Sequence, residues 1–331
     1  MKSGWSDFQS PLAQGIKAYL ASKRALGKQF KSKEEALRLL DRYLIGLSLT
    51  NIADITPAIL EAFLGSRSRN RPRSYNRLLG VVRRLFDWLV VQGIVPGSPL
   101  KIQARRQTAK CPPFIFNRSQ ARQLLDAAAQ LPDTSRSTQR GETYELAFLL
   151  MYGLGLRVGE VARLRSCDVD LNRHLLVIRQ TKFAKSRLVP FGPRIEERIR
   201  TYLSHREQYA KDFQHEDPLL SFSKDKKKPL RPKSISRAFH GLVQSLELTV
   251  PPGVAVPRAH HLRHSFAVGT LLRWYRSGID PTQRLIHLST FLGHVDPTST
   301  AVYLTITADL LQEANKRFER FAAPILKEIG L

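Results

Sequence analysis

The residues best suited to chemistry lie near the carboxyl end of this chain. His260 and Arg263 stand three positions apart in AHHLRHSFAVGTLL, about one helical turn, so their side chains share a face. Further on, FLGHVDPTSTAVYLT contains His294 and, nine residues later, Tyr303. The sequence places beside them no cluster of carboxylates for a divalent metal and no glycine-rich loop of the nucleotide-binding kind.

A tyrosine among basic and hydrogen-bonding side chains indicates chemistry at phosphorus. A phenol with a pKa of about 10 is a poor nucleophile at neutral pH. Guanidinium groups compensate for this, because they bind a phosphodiester through two hydrogen bonds and stabilise the charge that develops during attack. Histidines hold or transfer protons near neutral pH. We therefore predict a site in which a tyrosine attacks a phosphate.

Two upstream segments supply further basic groups and the elements that would position them. Arg157 follows a glycine-containing bend in LLMYGLGLRVGE and begins an amphipathic helix. The segment LLVIRQTKFAKSRLVPF is typical of two short strands, Leu175–Ile178 and Arg187–Val189, joined by a turn that carries Lys182 and Lys185. The sequence thus predicts a guanidinium at a helix start and an ammonium group at a hairpin turn.

Together with GLRVGE, LRHSFA and LGH, these segments resemble the tyrosine recombinases of the phage integrase family. The motif of that family is an arginine, a lysine in a β-turn, His-x-x-Arg, a histidine and the tyrosine nucleophile. The resemblance is strong from about Asn117 onwards, is looser before it, and favours Lys182 over Lys185. The catalytic residues that it implies are Arg157, Lys182, His260, Arg263, His294 and Tyr303.

The resemblance also implies a fold, an activity and partners. The fold is expected to be mainly α with a small antiparallel β-sheet, a two-domain C-shaped DNA clamp with a helical core-binding domain and an α+β catalytic domain. The activity would be that of a site-specific recombinase or integrase that works through a 3′-phosphotyrosyl intermediate, without metal, ATP or another cofactor. The expected partners are double-stranded DNA with inverted half-sites and further copies of the chain, a dimer on one site and a tetramer in synapsis.

Within that mechanism each matched residue has an expected task. Arg157 and Arg263 hold the non-bridging phosphate oxygens, and His294 donates a further hydrogen bond. Lys182 protonates the leaving 5′-oxygen, and His260 assists proton transfer at the tyrosine.

Three neighbouring residues have other interpretations. Glu160, in GLRVGE, is expected to orient the arginine beside it rather than react. His261 lies on a different helical face from the His-x-x-Arg pair, and His264 is expected to make a structural hydrogen bond. A zinc site formed by the three histidines is disfavoured, because no cysteine or further pair of ligands completes it.

The stretch Gly278–Gly293 departs from the family pattern, since it is about one helical turn longer than expected. The extra residues directly precede the Leu-Gly-His segment, where they would be able to re-aim His294. They also indicate a divergent, transposon-associated branch of the family.

The composition indicates a polyanionic partner. The net charge is +25 and the pI is about 10.5. No apolar run is long enough to span a membrane and no signal peptide is evident, so nucleic acid is favoured over a membrane surface. Only two cysteines occur, Cys111 and Cys167, which argues against a disulfide framework. A cytoplasmic, nucleoid-associated protein is expected.

The length of 331 residues favours two domains. We predict a helical DNA-binding domain over 1–106, a linker over 107–117, and a catalytic domain over 118–331 that ends in an oligomerisation helix. Helix starts are expected at Ser10-Pro11, at a capping box that begins with Ser32, and at Thr56-Pro57, with a fourth helix over Ser74–Gln92.

A basic patch precedes and enters that fourth helix. It has two interpretations that the sequence leaves open, a solvated loop or a surface that contacts DNA backbone. The candidate DNA-binding residues are Arg67, Arg69, Arg71, Arg73, Arg77 and Arg84.

In the second domain, apolar spacing predicts helices over Ser119–Leu131, Gly141–Leu154, Arg194–Ala210, Ser234–Leu246 and Asp309–Phe321, and a buried strand over Leu219–Phe222. The last helix carries an apolar stripe that either packs on its own domain or docks on a neighbouring subunit. Its members are Leu311, Ala314, Phe318 and Phe321.

Three other functions are compatible with parts of this pattern. A type IB topoisomerase would use similar residues to relax supercoiled DNA, and a regulator on the same fold would bind DNA without chemistry. A basic protein of membrane surfaces would satisfy the charge but would leave the six-residue motif unexplained.

Overall fold

The structure is a computed structural model that describes residues 7–27, 30–66, 72–106, 111–135, 137–179, 186–209, 214–222, 227–305 and 310–319. The chain divides into two compact units, Met1–Lys110 and Cys111–Leu331. The division falls inside the predicted linker. Phe114 and Phe116 belong to the core of the second unit, and the Phe116 N–H donates a hydrogen bond to Ser265 Oγ at 2.8 Å. Residues 111–117 are therefore part of the second unit rather than a free connection.

In the described residues of the first unit, four α-helices surround one core. They are α1 (Ala13–Ala25), α2 (Lys31–Ile45), α3 (Pro57–Gly65) and α4 (Pro72–Val91). The inner face of α4 buries the predicted stripe of apolar side chains, because residues three and four apart lie on one side of a helix. That stripe consists of Leu78, Val82, Leu85, Phe86 and Leu89.

The helix-start signals of the first unit succeed in one case and fail in two. Thr56 caps α3, with its hydroxyl accepting from the Ile59 N–H at 3.4 Å. The capping box at Ser32 is wrong, because α2 begins earlier and its cap residue, Phe30, has a left-handed backbone (φ 52°) and no side-chain cap. Similarly α1 begins at Ala13 without a side-chain cap: Ser10 Oγ has no hydrogen-bond partner, and the Ser10 N–H donates to the Asp41 carboxylate at 3.0 Å.

The second unit contains most of the helices and the sheet. Its helices are α5 (Arg118–Ala129), α6 (Arg140–Gly153), α7 (Val158–Val161), α8 (Pro193–Tyr209), α9 (Pro232–Ser245), α10 (Ala259–Arg276), α11 (Pro281–Leu292), α12 (Thr298–Ala301) and a helix over 310–319, here α13. Helix α6 is buried between α5, α8 and α10.

The sheet is a small antiparallel meander of β1 (Val169–Asp170), β2 (Leu175–Ile178) and β3 (Arg187–Pro190). The predicted pair of strands is confirmed, with Leu176 opposite Val189 in the register. The predicted strand over Leu219–Phe222 is wrong. That run is mostly buried, but its backbone makes isolated hydrogen bonds instead of a ladder: the Leu219 N–H donates to Leu164 O at 2.7 Å, and Leu220 O accepts from the Leu230 N–H at 3.1 Å. The apolar residues of this run therefore reflect burial in the core and not membership of a β-sheet.

Both cysteines, Cys111 and Cys167, are free thiols. Among the helices that the structure describes, none combines the length and the hydropathy required to cross a membrane.

Candidate active site

A tight turn after α6 sets the position of the first arginine. Gly155 has a positive φ of 62°, and a Cβ there would lie 2.6 Å from Phe266 and 2.8 Å from Leu292. Only glycine satisfies both the backbone conformation and this close packing against α10 and α11. The turn ends at Arg157, which is the cap residue of the short helix α7.

The Arg157 guanidinium is held at two of its nitrogens. Nη1 donates to Glu160 Oε1 at 2.7 Å, and Nη2 donates to the Gly293 carbonyl at 3.0 Å. The other carboxylate oxygen of Glu160 accepts from the Arg157 backbone N–H at 2.9 Å. Glu160 thus orients Arg157, as predicted. The Arg157 side chain remains 29% exposed, so the group is fixed yet accessible.

A second arginine, Arg187 on β3, completes this ion cluster. It donates from both terminal nitrogens to Glu160, at 3.0 and 2.9 Å, and from Nε to the Phe291 carbonyl at 2.8 Å. Burial by itself would raise the pKa of Glu160, but hydrogen bonds and charge from Arg187 and then Arg157 outweigh it and hold that pKa at about 2. Glu160 is therefore an anion that ties a strand, a helix start and the end of α11 together.

Arg263 is the buried member of the set. Its side chain on α10 is 1% exposed, and it donates to the Gly155 and Leu292 carbonyls, both at 2.7 Å. Burial lowers its pKa to about 9, which leaves it charged at neutral pH. A guanidinium has five N–H donors, so these two bonds leave others for a ligand.

His294 is positioned by the end of α11. Gly293 adopts a left-handed backbone (φ 67°), and the His294 N–H returns to Ser289 O at 2.9 Å, which closes the helix. The side chain is set by Thr300, whose Oγ1 lies 2.6 Å from His294 Nδ1. The longer stretch before it leaves His294 beside Tyr303, with ring centroids 6.4 Å apart and nearly parallel planes.

Tyr303 lies in a 3₁₀ turn that follows α12 and is only 4% exposed. Its hydroxyl is 2.7 Å from Nδ1 of His264. Burial raises the pKa of Tyr303 above 10.0, and the positive charges of Arg263 and Arg157 oppose that effect. The phenol is therefore protonated at neutral pH.

The histidines of the cluster are neutral. His260 lies at the exposed edge, and its ring meets that of His264 at 4.7 Å between centroids, nearly perpendicular. Loss of water around the rings is the largest cause that lowers the pKa of His260 and His294 to about 4 and of His264 to about 3, and nearby positive charges add to it. The charge of the site thus comes from three guanidiniums against the Glu160 carboxylate.

No group of three histidine, cysteine or acidic side chains that could hold a metal occurs in the part of the chain that the structure describes. The carboxylate at the centre of the cluster, Glu160, is instead occupied by Arg157 and Arg187.

The profile of the phage integrase family matches residues 115–309 of this chain, which include every element of this cluster. A putative integrase/recombinase, y4rB, of Sinorhizobium fredii is 34% identical over 94% of this chain and 98% of its own length. The chain belongs to the phage integrase family. It is a tyrosine-type recombinase, an enzyme class that also includes the tyrosine recombinase XerC of Oceanobacillus iheyensis, 27% identical over 84% of this chain and 85% of that protein.

Solved structures agree with the fold of this recombinase. A lambda integrase dimer bound to a COC′ core site matches with a TM-score of 0.62 at 17% identity, over 88% of this chain and 76% of that one. The integrase of the Tn1549 transposon, in complex with a circular intermediate DNA, matches with a TM-score of 0.63 at 15% identity, over 93% and 100%. The predicted fold class, mainly helical with a small antiparallel sheet, is confirmed.

Five of the six residues predicted for the recombinase site are described, and four of them converge. Arg157, Arg263 and His294 surround Tyr303, while His260 lies one ring further out. The sixth, Lys182, lies outside the described residues, as does its alternative Lys185.

Among the candidate DNA-binding residues, Arg67, Arg69 and Arg71 also lie outside the described residues. Arg73, Arg77 and Arg84 are exposed on α4 of the first unit, at a spacing that places them along one side of the helix. They remain candidates.

Sequence reasoning missed two members of the cluster. Arg187 was noted only as the start of a strand, although it binds Glu160 from 27 positions away. His264 was expected to make a structural hydrogen bond, whereas its partner is the tyrosine hydroxyl. Local spacing in the sequence gives no indication that Arg187 binds Glu160. The contact between His264 and Tyr303 had one indication, since His264 follows His260 by four residues and so lies on the same side of the helix.

Proposed function

We propose that this recombinase cuts and rejoins double-stranded DNA with Tyr303 as its nucleophile. The observation that supports the proposal most directly is the hydroxyl of Tyr303, buried where the charges of Arg263 and Arg157 reach it. A phosphodiester placed against these guanidiniums would neutralise part of their charge. The same groups would stabilise the negative charge that builds up at phosphorus during attack.

The proposed step forms a bond between Tyr303 Oη and phosphorus as the bond from phosphorus to the 5′-oxygen breaks. The phenolic proton passes to the neutral histidines of α10, with His260 assisting the transfer. Arg157 and Arg263 hold the non-bridging oxygens and His294 donates a further hydrogen bond. Lys182 gives a proton to the leaving oxygen. The products are a 3′-phosphotyrosine and a free 5′-hydroxyl. Because the covalent bond keeps the energy of the diester, the hydroxyl of a partner strand can reverse the step without ATP.

A suicide substrate tests this chemistry, because a nick close to the cleavage site lets the short product diffuse away and traps the covalent adduct. The full chain should give a protein–DNA band on a denaturing gel, and Tyr303→Phe should give none. Phenylalanine keeps the ring in the apolar cluster that includes Leu271 and Leu292, so folding should be preserved. An adduct of undiminished yield with Tyr303→Phe would refute the proposal. Joined products from two separate duplexes would distinguish recombination from topoisomerase-like relaxation.

We also propose that the recombinase acts on inverted half-sites as a dimer, and in synapsis as a tetramer, because four strands must be cut. Helix α13 supports this through two exposed apolar side chains, Leu311 at 50% and Phe318 at 66%. Its neighbour Leu310 is fully buried near Tyr303. The helix is thus anchored on its own unit at one end, with an apolar face left for a second copy. Phe321, the last member of the predicted stripe, lies outside the described residues.

The polar side of α13 faces its own unit, where Arg317 lies 3.5 Å from Asp280 and Glu313 lies 3.6 Å from Arg276. A Leu311→Ser/Phe318→Ser double variant should therefore keep the fold and monomer binding to a half-site but lose cooperative binding and recombination. Deletion of 309–331, which also removes the buried Leu310, should leave monomer DNA binding but lower recombination. Recombination at the full rate by both variants would exclude this role for the helix. A matched control is Gln312→Ser, an exposed polar position on the same helix.

A further inference from the structure

The hydroxyl of Tyr303 has a partner that the roles above leave unused. Nδ1 of His264 lies 2.7 Å from it, across a separation of 39 residues. Both His264 and His260 stand on α10, but the ring of His260 contacts His264 rather than the tyrosine. His260, which was expected to assist proton transfer at the tyrosine, is thus separated from it by the ring of His264.

The donors around Tyr303 decide which way this hydrogen bond runs. The Arg263 guanidinium approaches the phenolic oxygen, and a guanidinium can only donate. The phenol keeps its own proton, because burial raises its pKa. His264 is neutral, so one of its ring nitrogens is free to accept. The consistent arrangement has Tyr303 donating to Nδ1 of His264, with the imidazole proton on Nε2.

Two histidine rings lie against the ring of Tyr303. His264 lies 5.4 Å away between ring centroids at a tilt of 57°, and His294 lies 6.4 Å away with nearly parallel planes. This side-chain hydrogen bond links the 3₁₀ turn that carries Tyr303 to α10. The phenolic oxygen lies on the axis about which the ring rotates, so it moves only when the whole side chain swings about its Cα–Cβ bond or when the backbone shifts. The hydrogen bond to His264 limits that motion.

We propose that His264 is a positioning residue for the nucleophile, which points the Tyr303 hydroxyl towards the phosphate by accepting its hydrogen bond at Nδ1. The inference rests on the proposed function, in which Tyr303 attacks. His264 acts before the bond to phosphorus forms and makes no bond to the DNA. Its loss would therefore lower the rate of cleavage rather than the affinity for DNA, since attack depends steeply on alignment.

Three substitutions of His264 distinguish the effect of the hydrogen-bond acceptor at Nδ1 from the effect of side-chain volume. In His264→Asn the side-chain oxygen takes the place of Nδ1, in His264→Gln the amide reaches the place of Nε2, and His264→Leu has no acceptor. Cleavage of a suicide substrate is measured in single turnover at saturating DNA. We expect His264→Leu and His264→Gln to be about 100-fold slower than the unaltered chain, and His264→Asn to stay within about 10-fold of it. The Kd for DNA should change by less than about threefold in all three.

A substrate with sulfur in place of the 5′-bridging oxygen adds a second readout, because a thiolate leaves without needing a proton. The defect of His264→Leu should persist on it, since the defect lies on the nucleophile side. The defect of Lys182→Ala, on the leaving-group side, should be relieved.

The inference is overturned if His264→Leu cleaves within about threefold of the unaltered chain, or if His264→Asn is as slow as His264→Gln. Should His264→Leu fail to fold, the comparison of Asn with Gln decides alone. These results are separate from a failure of the proposed function, in which even the unaltered chain would form no adduct that depends on Tyr303.

Discussion

The two units of this recombinase use arginine in opposite ways. On α4 of the first unit, Arg73, Arg77 and Arg84 lie exposed along one side of the helix. In the second unit, Arg263 is 1% exposed and the Arg187 side chain 9%, and both are bound to backbone carbonyls. Exposed cations attract a polyanion over distance and adapt to it, whereas buried ones hold one geometry. The first arrangement suits affinity, and the second suits chemistry.

This difference also predicts how each group responds to salt and to substitution. Exposed cations are screened at physiological ionic strength and contribute little to folding. A buried guanidinium that binds carbonyls leaves unsatisfied acceptors when it is removed. Substitutions in the two units should therefore separate affinity for DNA from cleavage.

The largest effect is expected from Arg263→Lys. An ammonium group cannot reach the Gly155 and Leu292 carbonyls as the guanidinium does, and it presents no planar pair of donors to a phosphate. Cleavage should fall by about 1000-fold, and the free energy of unfolding of the second unit should fall by about 2–4 kcal/mol. Single-turnover cleavage and denaturant titration measure the two losses. Arg273→Lys, an exposed position on the same helix, is the control and should change neither.

A smaller loss is expected from Arg187→Lys, which removes the two-pronged bond to Glu160 and the bond to the Phe291 carbonyl together. Arg157 would still bind Glu160, but Glu160 would no longer be held in place by Arg187. Cleavage should fall by about 10- to 100-fold, with Kd for DNA nearly unchanged. The control is Arg179→Lys, whose side chain is 57% exposed. A variant with lost affinity and intact cleavage at saturation would contradict the division between the units.

Replacing Arg73, Arg77 and Arg84 together by alanine tests the other side of the comparison. Affinity for DNA should fall by about 10-fold or more at low salt, and the slope of log K against log salt should shrink by about 2–3. Cleavage at saturating DNA should stay close to normal. Arg42→Ala, an exposed position on α2, provides a control for lost charge away from α4. An unchanged salt slope would mean that these arginines do not contact the DNA backbone.

The smallest effect expected is a dependence of stability on pH. It should distinguish the two units, because all nine histidines lie in the second one. The folded state lowers the pKa of His264 to about 3 and of His294 to about 4, below the ordinary value of 6.5. The unfolded chain therefore binds more protons below pH 6.5, and stability falls as the pH decreases towards the folded-state values. From pH 7.5 to 6, each such histidine should cost at most about 1 kcal/mol.

Hydrogen exchange resolved by unit checks this prediction. Protection of the second unit should weaken as the pH falls over that range, after correction for the intrinsic exchange rate, and protection of the first unit should hold steady. Equal responses of both units would contradict it.

Several features of the fold were predictable because they depend on local chemistry. The hairpin of β2 and β3 follows from two short runs rich in Leu, Val and Ile on either side of a polar turn. The start of α3 follows from Thr56 and Pro57, and the buried stripe of α4 follows from helical periodicity. The failures lie where tertiary contacts override local signals. Phe30 contacts Tyr19 with ring centroids 5.9 Å apart, and α2 begins beside it rather than at Ser32.

The list of reactive groups, their order and the strongly basic character were readable from the residues alone, because residue type and short spacing carry that information. Which histidine meets Tyr303 was not, nor was the bond between Arg187 and Glu160. Those contacts depend on how α10, α11 and β3 pack around two glycine turns, Gly155 and Gly293. A hydrogen bond requires placement within a few tenths of an ångström, and helical periodicity leaves the relative rotation and depth of packed elements undetermined.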